Sequence, residues 1–320
     1  MKAIGLTRYL PIDDPKSLED ITLPTPTPSG RDVLVKVEAI SVNPVDTKVR
    51  APKDKVEATP RVLGWDAAGI VRATGPRATR FKQGDRVWYS GDITRPGSNS
   101  ELQAVDERIV GHMPKSLDFA QAAALPLTTI TAWELLFDRL RVLDNAAPSQ
   151  RSLLVIGAAG GVGSILVQLA RQLTGLTVIG TASRPETQAW VRDLGAHHVI
   201  DHTQPLAGEL KRIGFEHVSD IAALTHTDTH FPQIAEAIAP QGRVALIDDP
   251  AALDVRLLKS KSASLHWEFM FARPLHDTPD LIAQHELLNQ AARLIDNGTL
   301  RTTLGEHYGK INAENLRRAH

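Results

Sequence analysis

The sequence predicts an α/β protein in which a β-rich region is followed by a doubly wound parallel sheet. Up to about residue 111 the chain consists of short alternating or apolar segments broken by turns. Beyond about residue 118 strand and helix patterns alternate, as expected for parallel strands joined by helices. Between Arg151 and Arg171 lie nineteen uncharged residues, and their glycines fall where the apolar period changes. These three observations predict the fold class.

The first region is predicted to be barrel-like. Pro24, Pro26 and Pro28 with Gly30 separate two of its segments, and Gly84 begins a tight turn before another. The predicted strands are residues 3–6, 19–23, 32–42, 67–74 and 86–89.

The second region begins with an amphipathic helix and continues as a repeated strand and helix unit. The first helix is predicted at residues 129–140, and later ones after Gly163 and at 185–194, 207–213 and 231–238. Strands are predicted at residues 153–156, 176–182, 199–200, 218–223 and 243–247. In such a sheet, ligands bind outside the carboxyl ends of the strands.

The chain beyond residue 260 is predicted to contain two strands and two helices. They are a strand at residues 263–269, a helix at 279–297, a strand near Leu300 and a helix that starts at Asn312. These elements are expected to return to the first region.

The glycine turn has the spacing Gly157-x-x-Gly160-x-x-Gly163, with Gly161 inside it. A buried strand that enters a helix through glycines suits a dinucleotide pyrophosphate, because the backbone can approach closely and the helix N-terminus favours negative charge. The alternative is a membrane helix, since nineteen uncharged residues are long enough to cross a bilayer. Four glycines near its centre and the lack of a second apolar span favour the dinucleotide turn.

The amino-acid composition argues against several classes of function. The chain has 320 residues, which suits two domains, and 42% of them are hydrophobic. Lys and Arg number 36 and Asp and Glu 37, so a net charge of −1 favours neither a nucleic acid nor an anionic membrane as partner. The sequence contains no cysteine, which excludes disulfides, thiolate metal sites and a cysteine nucleophile. With no signal-peptide pattern at the N-terminus, a cytoplasmic protein is expected.

Five segments, in order, resemble the medium-chain dehydrogenase/reductase superfamily and its zinc-free quinone oxidoreductase branch, which is related to zeta-crystallin. They are residues 43–46 (Asn-Pro-Val-Asp), 64–69 (Gly-Trp-Asp-Ala-Ala-Gly), 81–87, 122–133 and 157–163. Two further segments, residues 91–97 and 266–271, are most similar to bacterial proteins labelled as zinc-binding alcohol dehydrogenases.

The resemblance implies a GroES-like catalytic domain at residues 1–122 and a Rossmann cofactor domain at residues 123–260. Residues 261–320 are expected to return to the catalytic domain. Family chains usually continue after the helix near Asn312 into a closing strand. Because this chain stops at His320, that segment is expected to be truncated.

No zinc is expected. Zinc-dependent members carry a cysteine where Asn43 stands and a histidine where Trp65 stands, so the main ligands of a catalytic zinc are replaced. His226 and His230 are four residues apart, as in some metal sites, but the sequence shows no third ligand near them.

The residues after the second strand of the repeat predict NADPH. NAD sites usually place a carboxylate about 20 residues past the glycines. Here that place holds Ser183 and Arg184, and arginine can bind a 2′-phosphate through two charge-assisted hydrogen bonds. The alternatives are an ordinary exposed arginine, or a ribose hydroxyl held by Glu186 instead.

The resemblance places further cofactor contacts at the glycine turn and the strand ends. Those at the turn are Gly157, Gly160, Gly161, Val162 and Gly163. The others are Ser183, Arg184, His202, Leu224, Thr225, Ile247, Asp248, Phe269 and Phe271. For His202, a surface histidine is the alternative.

Without zinc, charge on the reduced product must be stabilised by hydrogen-bond donors. By resemblance, Asn43 donates to the acceptor oxygen, Thr131 contacts the nicotinamide ribose and Asp46 orients these groups. Trp65 is expected to present an apolar wall to a flat substrate. The alternatives are a turn or capping aspartate for Asp46 and a core tryptophan for Trp65.

The leading hypothesis is therefore an NADPH:quinone oxidoreductase of the EC 1.6.5 type, which reduces a quinone or related α,β-unsaturated carbonyl as a homodimer. One alternative is an NADPH-binding protein with little turnover. The other is a zinc-type alcohol dehydrogenase, which Asn43 and Trp65 disfavour.

Overall fold

The computed structural model describes residues 1–143 and 151–320, which form two compact units. Unit 1 comprises Met1–Ile130 and Phe271–His320, and unit 2 comprises Thr131–Met270. The α/β fold class, with a curled β domain and a doubly wound parallel sheet, is confirmed.

Unit 1 is built on two antiparallel sheets. Its strands are β1 (Lys2–Tyr9), β2 (Glu19–Thr22), β3 (Asp32–Ile40), β4 (Lys53–Val62), β5 (Ala67–Thr74), β6 (Arg86–Tyr89), β7 (Leu102–Asp106) and β8 (Val110–His112). The three-stranded sheet has the order β2-β1-β4, and the five-stranded sheet has the order β7-β3-β5-β6-β8.

The core of unit 1 lies against the central strands of the larger sheet. Val33, Val35 and Val37 on β3 pack with the inward residues of β5 and β6. Gly69 allows β5 to approach β3, since a Cβ there would lie 2.1 Å from the Lys36 carbonyl oxygen.

Unit 1 also contributes helices before the parallel sheet. These are α1 (Pro44–Arg50), α2 (Phe119–Ala123) and the first part of α3 (Pro126–Glu134), which belongs to unit 2 from Thr131 onward and continues there as a π-helical turn at Leu135–Arg139. The helix predicted at residues 129–140 therefore begins earlier than expected. Proline, which lacks an N–H, is well suited to the first position of α3.

Unit 2 contains one sheet of six parallel strands in the order β11-β10-β9-β12-β13-β14. The strands are β9 (Ser152–Ile156), β10 (Thr177–Thr181), β11 (His198–Ile200), β12 (Val218–Ala223), β13 (Ile238–Leu246) and β14 (Ser264–Trp267). The helices between them are α4 (Gly161–Leu173), α5 (Pro185–Asp193), α6 (Leu206–Arg212) and α7 (Thr227–Ala237).

The uncharged stretch forms the buried strand β9, the glycine turn and the first part of α4, as predicted. In the described part of the chain, no helix is both long and apolar enough to cross a membrane. The parallel register pairs Thr181 with Ile200, and Ala223 with both Ile156 and Leu246. The residues that follow these strands therefore line one edge of the sheet.

The end of the chain adds α8 (Ala272–Leu275), α9 (Ala283–Asp296) and α10 (Ala313–Ala319) to unit 1. Asn312 caps α10 by accepting a hydrogen bond from the Asn315 N–H (2.8 Å), as the predicted helix start requires. The prediction of a strand near Leu300 is wrong. Residues 301–309 have no regular structure, because their mostly exposed polar side chains provide no apolar face to pair in a sheet.

Candidate active site

The glycine turn in unit 2 leaves the N-terminus of α4 uncovered. Gly157 has φ +84°, and no side chain caps the helix at Gly160. A Cβ on Gly163 would lie 2.4 Å from the Gly157 carbonyl oxygen, so only glycine fits there. A Cβ on Gly160 would meet only that same oxygen, at 3.4 Å, and otherwise open space. The turn therefore fits the pyrophosphate of a dinucleotide, which would bind to the backbone N–H groups of the helix.

Ser183 and Arg184 follow β10 at the same edge of the sheet. The Arg184 side chain is 71% exposed, and its Nε lies 3.2 Å from Glu186 Oε1. Arg184 and Glu186, which were considered above as alternative cofactor contacts, thus form an ion pair. Because exposed pairs contribute at most about 1 kcal/mol, Arg184 can turn toward a phosphate at little cost.

The later strand ends place most of the remaining predicted cofactor residues along this edge. Leu224 and Thr225 follow β12, and Ile247 and Asp248 follow β13. The Asp248 carboxylate accepts hydrogen bonds from the N–H (2.8 Å) and the hydroxyl of Thr227. Asp248 therefore caps the start of α7, a role the sequence pattern did not suggest.

Phe269 and Phe271 fall in different units. Phe269, in unit 2, is half exposed beyond β14. Phe271, in unit 1, is buried and packs edge-on against Trp65, with ring centroids 6.2 Å apart. Thr131 belongs to unit 2 and Asn43 to unit 1, so the predicted catalytic residues are also divided between the units.

Asn43 sits in a buried polar cluster of unit 1. It precedes α1, and its backbone N–H donates to Asp46 Oδ2 (2.8 Å). Its side-chain Nδ2 donates to Asp66 Oδ2 (2.8 Å), and the other oxygen, Asp66 Oδ1, accepts from the Leu127 N–H (2.8 Å). Asp66 thus ties the Asn43 amide to the first turn of α3.

Burial shifts both carboxyl groups of this cluster toward their neutral forms. Desolvation raises the pKa of Asp46 to about 7, against hydrogen bonds from the backbone. Desolvation also raises the pKa of Asp66 well above its usual range, and the charge of Asp46 adds to that effect. Asp46 is fully buried and reaches back to the N-cap of α1, as the capping alternative predicts. It acts on Asn43 through the backbone.

Trp65 is fully buried in unit 1. Its indole Nε1 lies 3.4 Å from the Asp92 carbonyl oxygen, at the limit of a hydrogen bond. This environment is that of the core tryptophan considered as the alternative to a substrate wall.

The residues at the zinc positions do not fit a zinc ion. An amide and an indole replace the thiolate and imidazole ligands that zinc prefers. Both oxygens of Asp66 already accept hydrogen bonds within the cluster. Among residues 1–143 and 151–320, no group of three or more His, Cys, Asp or Glu side chains is arranged to hold a metal.

Sequence reasoning assigned no role to Asp66, or to a second acidic cluster in unit 2. Arg139 Nε donates to Glu268 Oε2 (2.8 Å), and the buried Glu268 also faces the buried Glu134. Burial, with the charge of Glu134, raises the pKa of Glu268. The feature of the sequence that could have indicated the second cluster is a glutamate inside the apolar segment at residues 266–271.

The Glu268→Gln substitution should make unit 2 less sensitive to pH. A carboxyl whose pKa is raised by folding favours the folded state below its unfolded pKa of about 4.3 and loses that contribution as the pH rises. Glutamine keeps an acceptor for Arg139 without a proton to lose. At pH 8 we expect a melting temperature about 2–4 °C above wild type, and a smaller decline between pH 5 and 9. The exposed Glu216→Gln control should follow wild type, and a Glu268→Gln curve parallel to wild type would contradict the assignment.

Comparison with known proteins identifies relatives that extend along the whole chain. Residues 29–116 match the alcohol dehydrogenase GroES-like domain, and residues 161–284 match the zinc-binding dehydrogenase family. A zinc-type alcohol dehydrogenase-like protein of Staphylococcus epidermidis is 40% identical over 100% of this chain and 95% of its own. The chain belongs to the medium-chain dehydrogenase/reductase superfamily.

Two further members of the superfamily are similar along most of the chain. Human quinone oxidoreductase is 30% identical over 96% of this chain and 90% of its own. The crystal structure of a Rhizobium etli CFN 42 protein assigned to the zinc-dependent alcohol dehydrogenases is 56% identical, with a TM-score of 0.97. The match covers 100% of this chain and 93% of that one. This chain is accordingly an oxidoreductase of the medium-chain superfamily, and its relatives carry both kinds of name.

Proposed function

We propose that this superfamily member is an NADPH-dependent reductase that transfers hydride to a quinone or related α,β-unsaturated carbonyl without zinc. The observation that carries the proposal is the Asn43 amide, which stands where zinc-type members have a cysteine and is held by Asp66. Similarity to a quinone oxidoreductase along most of the chain supports the same reaction class.

The proposed chemistry needs a hydride source, a hydrogen-bond donor and a proton. NADPH, when bound, supplies the hydride. Asn43 Nδ2 has two N–H bonds, and one of them donates to Asp66, so the second can donate to an acceptor oxygen that gains negative charge. Because the amide is held by Asp66, little reorganisation is required as that charge develops. A proton from water then completes the reduced oxygen.

The uncovered N-terminus of α4 would hold the pyrophosphate, and Ser183 with Arg184 would hold the 2′-phosphate. A steady-state screen of NADPH oxidation with quinones, enals and enones tests the reaction. Cofactor binding without oxidation of NADPH by any acceptor would favour the binding protein instead. One bound zinc per chain in the purified protein would favour an alcohol dehydrogenase.

Arg184→Ala should reduce the preference for NADPH over NADH. Charge-assisted hydrogen bonds contribute about 1.5–3 kcal/mol, so the ratio of the two Kd values should fall about 10- to 100-fold. Fluorescence titration with each cofactor measures this ratio. Arg192→Ala, on the helix that follows Arg184, is the matched control and should leave the ratio unchanged. An unchanged ratio in Arg184→Ala would contradict the NADPH assignment.

A homodimer is proposed through the outer edge of the parallel sheet. Strand β14 ends the strand order, and the nearby Trp267 and Phe269 are 54% and 47% exposed. A strand edge that no other strand of the described residues covers, beside large apolar side chains, favours pairing with a second copy.

A further inference from the structure

Three histidines of unit 2, His202, His226 and His230, follow strands at the carboxyl edge of the sheet, and the resemblance gave a cofactor contact to His202 alone. His226 and His230 belong to the pattern that lacked a third partner in the sequence. In the structure the ring of His202, after β11, lies 6.2 Å from that of His230 at an interplanar angle of 85°. Helices α6 and α7 bring the two together, as the Leu206 N–H donates to Gln233 Oε1 (2.8 Å).

The two rings are nearly perpendicular, but they have the same hydrogen-bonding state. His202 and His230 are each half-buried, and in each ring the Nδ1 atom is buried without a hydrogen-bond partner. A buried N–H without an acceptor is unfavourable, so each neutral ring is expected to carry its proton on Nε2. The pair then offers two N–H donors on the less buried side.

The register of the sheet places this pair next to the proposed phosphate site. Strands β10 and β11 are neighbours, with Thr181 opposite Ile200, and the Ala182 N–H still donates to the Ile200 carbonyl oxygen (3.0 Å). Ser183 and His202 each lie two residues beyond that pair. Adjacent strands are about 4.8 Å apart, so His202 follows at the side of Ser183.

The pKa of His230 depends first on its burial and then on the charged groups around it. Burial lowers the pKa of His230, and the nearby His202 and His226 lower it further. Asp228 on α7 and Asp248 after β13 oppose this effect. A doubly charged phosphate brought beside the pair would reverse the balance, because it favours the imidazolium form.

We propose that His202 and His230 form an imidazole pair that binds the 2′-phosphate of the cofactor and takes up a proton as it does so. This inference rests on the proposed use of NADPH. His230 is thereby a binding residue for which neither the sequence pattern nor the resemblance provided a role.

Because binding and proton uptake are coupled, the direction in which the affinity for the phosphate changes with pH can be derived. Consider a histidine whose pKa is higher in the complex than in the free protein. Its contribution to binding is complete when the pH is below its pKa in the free protein. That contribution is lost as the pH rises through the pKa of the complex. The phosphate itself gains a proton below about pH 6, which acts in the opposite direction. Affinity should therefore fall between about pH 6 and pH 8, the range in which histidine titrates.

Calorimetric titration with 2′-AMP between pH 6 and 8 tests the pair without requiring turnover. For the wild type we expect the Kd to rise about tenfold across this range, with proton uptake visible in buffers of different ionisation enthalpy. His230→Gln, which keeps a donor but cannot titrate, should reduce the change to about twofold or less. His202→Asn should also flatten the profile. His217→Gln, an exposed histidine before β12 at the opposite end of the sheet, should behave as wild type.

The outcomes separate this inference from the proposed function. If 2′-AMP binds to the wild type with a Kd that does not change between pH 6 and 8, the imidazole pair is overturned and NADPH use stands. The same conclusion follows if the His230→Gln protein, shown by circular dichroism to be folded, keeps the wild-type dependence of the Kd on pH. If 2′-AMP does not bind at pH 6, both the choice of NADPH and the inference are overturned.

Discussion

Asn43→Ala is expected to lower kcat about 100-fold while the Kd for NADPH stays within about twofold of wild type, because loss of one oxyanion donor typically costs that much. The Asn43 amide, which Asp66 holds in place, is the proposed donor, and alanine removes both of its N–H bonds. Stopped-flow measurement of hydride transfer, with a separate titration of NADPH, resolves the two quantities.

The same substitution removes the N-cap side chain of α1 and a donor to the buried Asp66, so a loss of stability of at least about 1 kcal/mol is expected as well. Asn312→Ala is the matched control, since Asn312 caps α10 in the same unit. It should show a similar loss of stability with kcat unchanged. Equal losses of kcat and NADPH affinity in Asn43→Ala would show that Asn43 supports the fold or cofactor binding, not charge development.

Arg151→Ala is expected to lower the free energy of unfolding of unit 2 by about 3–5 kcal/mol, the usual cost of leaving one member of a buried ion pair alone. Arg151 Nη2 lies 2.7 Å from Asp220 Oδ2, and the two side chains are 12% and 0% exposed. The pair joins the start of β9 to β12, the two strands beside the glycine turn. Urea unfolding followed by tryptophan fluorescence measures the change.

A surface ion pair in the same unit provides the control for Arg151. Arg212 Nη2 lies 2.8 Å from Glu209 Oε2, and the Arg212 side chain is 58% exposed. Arg212→Ala should cost less than about 1 kcal/mol, since water screens that pair. If the two substitutions prove equally mild, the Arg151–Asp220 pair does not stabilise the sheet as its burial implies.

The strands differ in how well the sequence predicted them. Strands β5, β6 and β12 begin and end where the sequence predicted, because each has a well-buried apolar core. Strand β4 was not predicted, since most of its side chains are exposed and its charges follow no alternation. Its pairing with β1 supplies the hydrogen bonds that define it. Burial alone does not decide the outcome, because the partly exposed edge strand β2 was predicted whereas β7 and β8, which contain buried residues, were not.

Some features of the candidate site could likewise be predicted from the sequence, and others could not. The structural role of the glycines at positions 157 and 163 could be predicted from the spacing of the turn alone. Asn43 and Trp65 could be recognised as poor zinc ligands from their side-chain chemistry. The burial of Trp65 and the capping role of Asp46 were weighed only as alternatives. Their solvent exposure depends on segments far along the chain.

By itself, the sequence determined the glycine turn, the missing zinc ligands and the absence of a carboxylate at Ser183. These are properties of single residues and short spacings. Only the tertiary structure decided that Asp66 holds the Asn43 amide and that His202 meets His230, because these partners are 23 and 28 residues apart and meet only once strands and helices pack. The same packing removes water from Asp46, Asp66 and His230, and that desolvation changes their pKa values.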